Sequence, residues 1–109
     1  MRIFISQPMS GKDANDIIEE RKWAIKTAKE KYGKDIEIID SYIDDEYRAS
    51  FEKDFGKIIN NFSVYWLGMA IGYLSEADAL IMVGDWENSK GCKIEKMVAE
   101  TYGIEIDYL

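Results

Sequence analysis

Histidine is absent from this sequence. That removes the usual general base at neutral pH and the commonest metal ligand. Any acid–base chemistry must fall to Asp, Glu, Tyr or Lys. Cysteine occurs once, as Cys92, so no internal disulfide can form and a structural zinc site lacks its ligands. A reducing, cytoplasmic setting is the expectation. Proline also occurs once, as Pro8, and no Gly/Ser-rich stretch interrupts the chain, so neither a linker nor a disordered tail is expected. No apolar run approaches the roughly 18 residues of a membrane span. The opening Met1-Arg2-Ile3-Phe4-Ile5 is too short for a signal peptide before it meets Gln7 and Pro8. Positive charge is scarce: 14 Lys and Arg stand against 21 Asp and Glu, a net charge of −7. Duplex DNA binding, which depends on Lys and Arg neutralising phosphates, is not expected. A single nucleotide, held by a few local donors, remains compatible with that charge.

What is present fits one domain. The 109 residues are too few for two independent cores, and a chain this long buries roughly 65% of the surface it exposes when unfolded. Arg2 to Ile5 reads as a short buried strand that ends in a turn, Ser6-Gln7-Pro8-Met9-Ser10-Gly11. Ile17, Ile18, Ala24, Ile25, Ala28 and Tyr32 recur at helical spacing behind a cap at Asp13 or Ser10, and Gly33 stops the helix. Ile36 to Ile39 reads as a second strand. Asp40 to Phe55, polar and aromatic, reads as a long loop with room for one helical turn. A second helix is expected near Ile58 to Ser75, a third strand at Ala79–Val83, and a last helix from Ser89 or Asn88 to Tyr102. Ile104-Glu105-Ile106 closes the series as a short strand. Strands that alternate with helices imply βαβ units, hence an α/β fold with a parallel sheet of four to five strands and helices on both faces.

In such sheets ligands sit beyond the carboxyl ends of the strands. Three loops meet there: Ser6–Gly11, Asp40–Asp45 and Gly84–Gly91. Gly91 and Cys92 fall in the first turn of the last helix, where free N–H groups and the helix dipole favour an anion, and Lys90 and Lys93 add positive charge. Glu95 lies one turn further on. Helical side chains lean towards the N-terminus, so its carboxylate can point back to the strand ends, and the dipole would favour the ionised form that suits a nucleophile. Spacing alone equally allows Glu95 to be part of an ordinary helix start. Ser6, Gln7, Pro8, Met9, Ser10 and Gly11 can present N–H and hydroxyl groups to phosphate or ribose, although most such turns carry small polar residues for turn geometry alone. Asp40 stands where an acid often meets ribose hydroxyls, or simply ends the strand in an Asx turn. Asp78 reads as a turn residue before the third strand. Trp86 precedes the last helix and could stack on a base. Trp23, Tyr65 and Trp66 are more aromatic surface than so small a core readily hides, which points to a homodimer or a higher homo-oligomer.

Taken together these pieces resemble the nucleoside 2-deoxyribosyltransferase-like superfamily, closest to a small branch common in phages and bacteria. The matching segments are Ile3-Phe4-Ile5-Ser6-Gln7-Pro8-Met9-Ser10-Gly11, Ile39-Asp40-Ser41-Tyr42, Glu76-Ala77-Asp78-Ala79-Leu80, Gly84-Asp85-Trp86 and Lys90-Gly91-Cys92-Lys93-Ile94-Glu95. The resemblance implies a compact flavodoxin-like three-layer sandwich that binds a nucleoside or nucleotide through the turn residues, Asp40, Asp85, Trp86, Lys90, Gly91 and Cys92. It implies that Glu95 attacks the anomeric carbon of a deoxyribose, with a second acid assisting the departing base. With no His and one Cys, no metal is expected, and no cofactor is expected either. The superfamily carries that second acid about two turns before the Ala-Asp pair, where this chain has Met69, Ala70 and Ile71. Asp85 and Glu87 are the nearest substitutes. The expected activity is therefore cleavage or transfer of an N-glycosidic bond; the alternative is a non-catalytic binder that sequesters or senses a nucleotide.

Overall fold

The apolar runs Ile3–Ile5 and Ala79–Val83 lie side by side at the centre of a parallel sheet, every side chain in them buried. The computed structural model describes residues 1–109. In chain order the elements are β1 (Arg2–Ser6), α1 (Ala14–Tyr32), β2 (Glu37–Ile38), α2 (Asp45–Phe55), α3 (Phe62–Leu74), β3 (Ala79–Met82), α4 (Lys90–Tyr102) and β4 (Glu105–Tyr108). The sheet has four strands in the order β2-β1-β3-β4, all parallel. Strands buried on both faces read as continuous apolar runs, which is why β1 and β3 stand out in the sequence. The register pairs Ile3 with Ala79 and Ser6 with Met82. At the opposite end Asp78 ties the two central strands together: its carboxylate accepts from Arg2 N–H at 2.6 Å, and its own N–H donates to Arg2 C=O at 2.8 Å.

Alternation along the strands builds a core on each side of the sheet. Ile3, Ile5, Ile81 and Val83 pack on Ala24 and Ala28 of α1. Phe4, Leu80 and Met82 pack on Leu74 of α3 and on Cys92 and Ala99 of α4. The result is an α/β sandwich of three layers, flavodoxin-like in strand order. No helix is long and apolar enough to cross a membrane.

Several boundaries depart from the sequence reading. The segment Asp40–Phe55 is not mainly loop: α2 occupies eleven residues of it, capped by Asp44, whose carboxylate accepts from Tyr47 N–H at 2.8 Å. None of its residues is fully buried. What holds it is a row of rings at helical spacing, Tyr47, Phe51 and Phe55, set against α3. Phe51 stacks on Tyr65 at 4.8 Å and lies 5.1 Å from Trp66. Tyr65 and Trp66 are thus covered within the chain itself, with Trp66 only 9% exposed, and of the three aromatic residues read as surplus surface only Trp23 is left exposed. The helix expected from Ile58 begins at Phe62, because Asn61 caps it by accepting from Val64 N–H. β2 contracts to two residues, although Glu37 and Ile39 still donate to Met1 and Ile3 carbonyls. β4 shifts on to Glu105–Tyr108. The caps at Asp13 and Ser89 are as expected: Asp13 accepts from Asn15 N–H and Ser89 from Cys92 N–H.

Candidate functional site

Chain connections leave β1 in one direction towards β2 and reach β3 on its other side. Such a reversal opens a crevice at the strands' carboxyl ends. There the structure has a cleft of about 360 Å³, a size that suits a small organic ligand. Its walls come from the end of β1 and the following turn, from α2 and α3, and from the first turns of α4.

Glu95 lies on this cleft and is only 7% exposed. Its Oε1 accepts a 2.7 Å hydrogen bond from the hydroxyl of Ser6, the last residue of β1. Removal from water pushes its carboxyl up to about 7, the Ser6 hydroxyl opposing that rise by favouring the anion. The expectation that the helix dipole keeps Glu95 ionised therefore needs correcting. Burial outweighs the dipole, so near neutral pH both protonation states are populated. Cys92, one turn before it, faces the core, and burial pushes its thiol up as well. That disfavours the reactive thiolate.

Gln7 is anchored from two sides. Its Nε2 donates to Ile17 C=O at 2.7 Å and to Glu20 Oε1 at 3.1 Å, while its Oε1 is buried without a partner. Those two acceptors fix the amide's orientation, which leaves the oxygen as an unused acceptor. Glu20 also faces Lys12, and Lys12 in turn binds Asp85 at 2.8 Å.

The structure brings together part of the predicted set. Gln7, Met9, Ser10, Gly91 and Glu95 line the cleft, and Ser6 reaches it through Glu95. Pro8 is buried and Gly11 turns the chain outside the wall. Asp40 is exposed and off the cleft; its charge faces the buried Arg21 guanidinium, whose Nη2 donates to Ile39 C=O. Ser41, the next residue, takes the place on the wall. Asp85 is held in its ion pair with Lys12, and the neighbouring Glu87 is exposed, so neither supplies a second acid to the cleft. Trp86 is not on the wall either. Its ring sits 5.6 Å from Tyr108 of β4, with Lys96 above it. Lys90 and Lys93 extend into solvent, and Cys92 turns into the core.

The aromatic wall comes instead from Phe62, Trp66 and Tyr73 of α3. From α2 come Arg48 and Glu52, which sequence reasoning missed by treating their segment as loop. The Asp44 cap and the four-residue spacing of Tyr47, Phe51 and Phe55 were the available signal. Met69 and Ala70 lie on the same wall and bring no acid to it. No three His, Cys, Asp or Glu side chains converge as a metal site.

Residues 45–108 match the model of a family described as a domain of unknown function, DUF4406. The chain belongs to this family. The match runs from the start of α2 to the end of β4, so within this DUF4406 chain it takes in Arg48, Glu52, Trp66 and Glu95, with β1, α1 and β2 preceding it. No curated protein and no solved structure matches the chain.

Proposed function

We propose that this DUF4406 chain binds a nucleoside or nucleotide in the cleft beside Glu95, and that it acts on the N-glycosidic bond as members of the nucleoside 2-deoxyribosyltransferase-like superfamily do. One observation carries the reading: a buried carboxylate, held by the Ser6 hydroxyl, at the carboxyl end of the central strands and on a cleft with aromatic walls. The second oxygen of Glu95 accepts no hydrogen bond from the protein. In its ionised form it attacks C1′ of the sugar. The C1′–N bond breaks with its electron pair on the base, which takes up a proton. Water, or a second base, then opens the glycosyl ester and frees Glu95. Glu52 is the other carboxylate on the cleft wall, where its Oε1 accepts from the Trp66 indole N–H.

The second reading is a non-catalytic binder. It is favoured by Met69 and Ala70, which occupy the stretch where the superfamily carries its second acid. One experiment separates the two. Purified protein is incubated with nucleosides and nucleoside monophosphates, and free base is followed by chromatography, in parallel with native mass spectrometry for retained ligand. Base release that Glu95→Ala abolishes supports the enzyme. Binding without release, in both proteins, supports the binder. If no member of the panel binds, both readings fail.

A further inference from the structure

We infer that the ligand of this cleft carries a phosphate and that Arg48 receives it. The inference rests on the nucleoside-or-nucleotide reading and selects the nucleotide. Arg48 is the only positively charged side chain on the cleft wall, in a chain with an excess of acidic groups. It is partly buried, yet it takes part in no ion pair and no hydrogen bond within the protein. Its natural partner would be Glu52, four residues further along α2 on the same helix face. Glu52 forms no ion pair with it and instead accepts a 3.0 Å hydrogen bond from the Trp66 indole N–H. The Arg48 guanidinium instead lies 5.4 Å from the centre of the Trp66 ring.

Contact with an aromatic ring leaves the N–H groups at the guanidinium's edge free. Those groups form the fork that grips a phosphate through two parallel hydrogen bonds. Trp66, held by Glu52 at its edge, in turn steadies Arg48. The Glu95 end of the cleft has the opposite character. The free oxygen of Glu95, beside the Ser6 hydroxyl, suits the hydroxyl or N–H donors of a nucleoside and, when ionised, repels an anion. Lys90 and Lys93, which could have drawn the anion to the start of α4, are exposed and off the wall. The cleft thus has two poles, and the cation stands on α2.

The test is isothermal titration of the whole chain with four nucleosides, their 5′-monophosphates, ribose 5-phosphate and inorganic phosphate. The wild type is compared with Arg48→Gln and Arg48→Lys. The expected result is that monophosphates bind at least tenfold more tightly than their nucleosides. Arg48→Gln should weaken monophosphates roughly 10- to 100-fold and leave nucleosides nearly unchanged, with Arg48→Lys between. Should Arg48→Gln fail to fold, the wild type still decides: affinity for monophosphates should fall with added salt while that for nucleosides does not. Equal binding of nucleoside and monophosphate, or equal weakening of both by Arg48→Gln, overturns the inference and leaves the nucleoside reading standing. Ribose 5-phosphate or phosphate held through Arg48, with no nucleoside or nucleotide bound, keeps the anion site and overturns the nucleotide. If nothing anionic binds, Arg48 is no phosphate site.

Discussion

The hydroxyl of Ser6 and the carboxylate of Glu95, 89 residues apart in the chain, share a buried 2.7 Å hydrogen bond that joins the end of β1 to the second turn of α4. It is the one hydrogen bond this carboxylate accepts from the protein, and it opposes the upward push that burial gives its carboxyl.

Glu95 should cost the protein stability at alkaline pH. Burial raises its carboxyl from 4.5 to about 7. Between those values the unfolded chain has released this proton while the folded protein retains it, so stability falls as pH rises, and the full cost stands above about pH 7. Glu95→Gln keeps an acceptor for Ser6 and removes the charge. It should therefore stabilise the protein above pH 7, by up to about 3 kcal/mol, with the gain fading as pH falls from about 7 and gone below about pH 4.5. Denaturant titrations at pH 5 and pH 8 read the difference; equal gains at both would refute it.

Ser6→Ala should move the same titration further upward, because the lost hydrogen bond favoured the anion. Carbon-detected NMR of the Glu95 carboxyl would follow the midpoint. Stability should drop by about 2 kcal/mol at pH 8, where the acceptor is charged, and by less at pH 5.

How far the site could be read in advance depended on which elements are buried on two faces. Ala79–Val83 is a continuous apolar run because β3 lies between two layers, and its position followed directly. Asp13 and Ser89 cap helices by local chemistry that needs no tertiary information. Helix geometry allowed Glu95 at the strand ends, and the family resemblance assigned it there. The failures share a cause. α2 has no fully buried residue, so it shows no strong apolar stripe, and its ring contacts to α3 are tertiary. Arg48 and Glu52 went with it. Trp86 and Asp40 were placed near the site by chain position, but their side chains are directed by Tyr108 and Arg21, which no local pattern announces.

Gly84→Ala should destabilise by two separable routes. Gly84 has φ +64°, and a Cβ there would come within 2.8 Å of Glu20 Oε2. The left-handed backbone costs about 1 kcal/mol, and displacing Glu20 disturbs the amide anchor of Gln7. A total near 2 kcal/mol is expected from these two contributions. In a Glu20→Ala background only the backbone part should remain, a difference that a double-mutant cycle on denaturant midpoints measures directly.

Asp107 should matter in acid. Lys31 first, then Tyr32, hold its carboxyl at about 2, below the ordinary aspartate range. A depressed carboxyl stabilises the fold above its unfolded value near 3.8 and loses that contribution as pH falls towards 2. Asp107→Asn should lower the melting temperature at pH 6, by about 1 kcal/mol in stability once solvent screening is allowed for. The gap to wild type should close near pH 2.

The strand order also governs when the site can exist during folding. β1 is made first, yet its principal neighbour β3 pairs Ile3 with Ala79, and Glu95 follows later still. Until those residues leave the ribosome, β1 can pair only with the two-residue β2. Closing loops this long comes before any reward from the contacts they make, which slows folding relative to chains built from local contacts. A nascent chain that stops short of β3 therefore lacks both the paired core strands and the cleft.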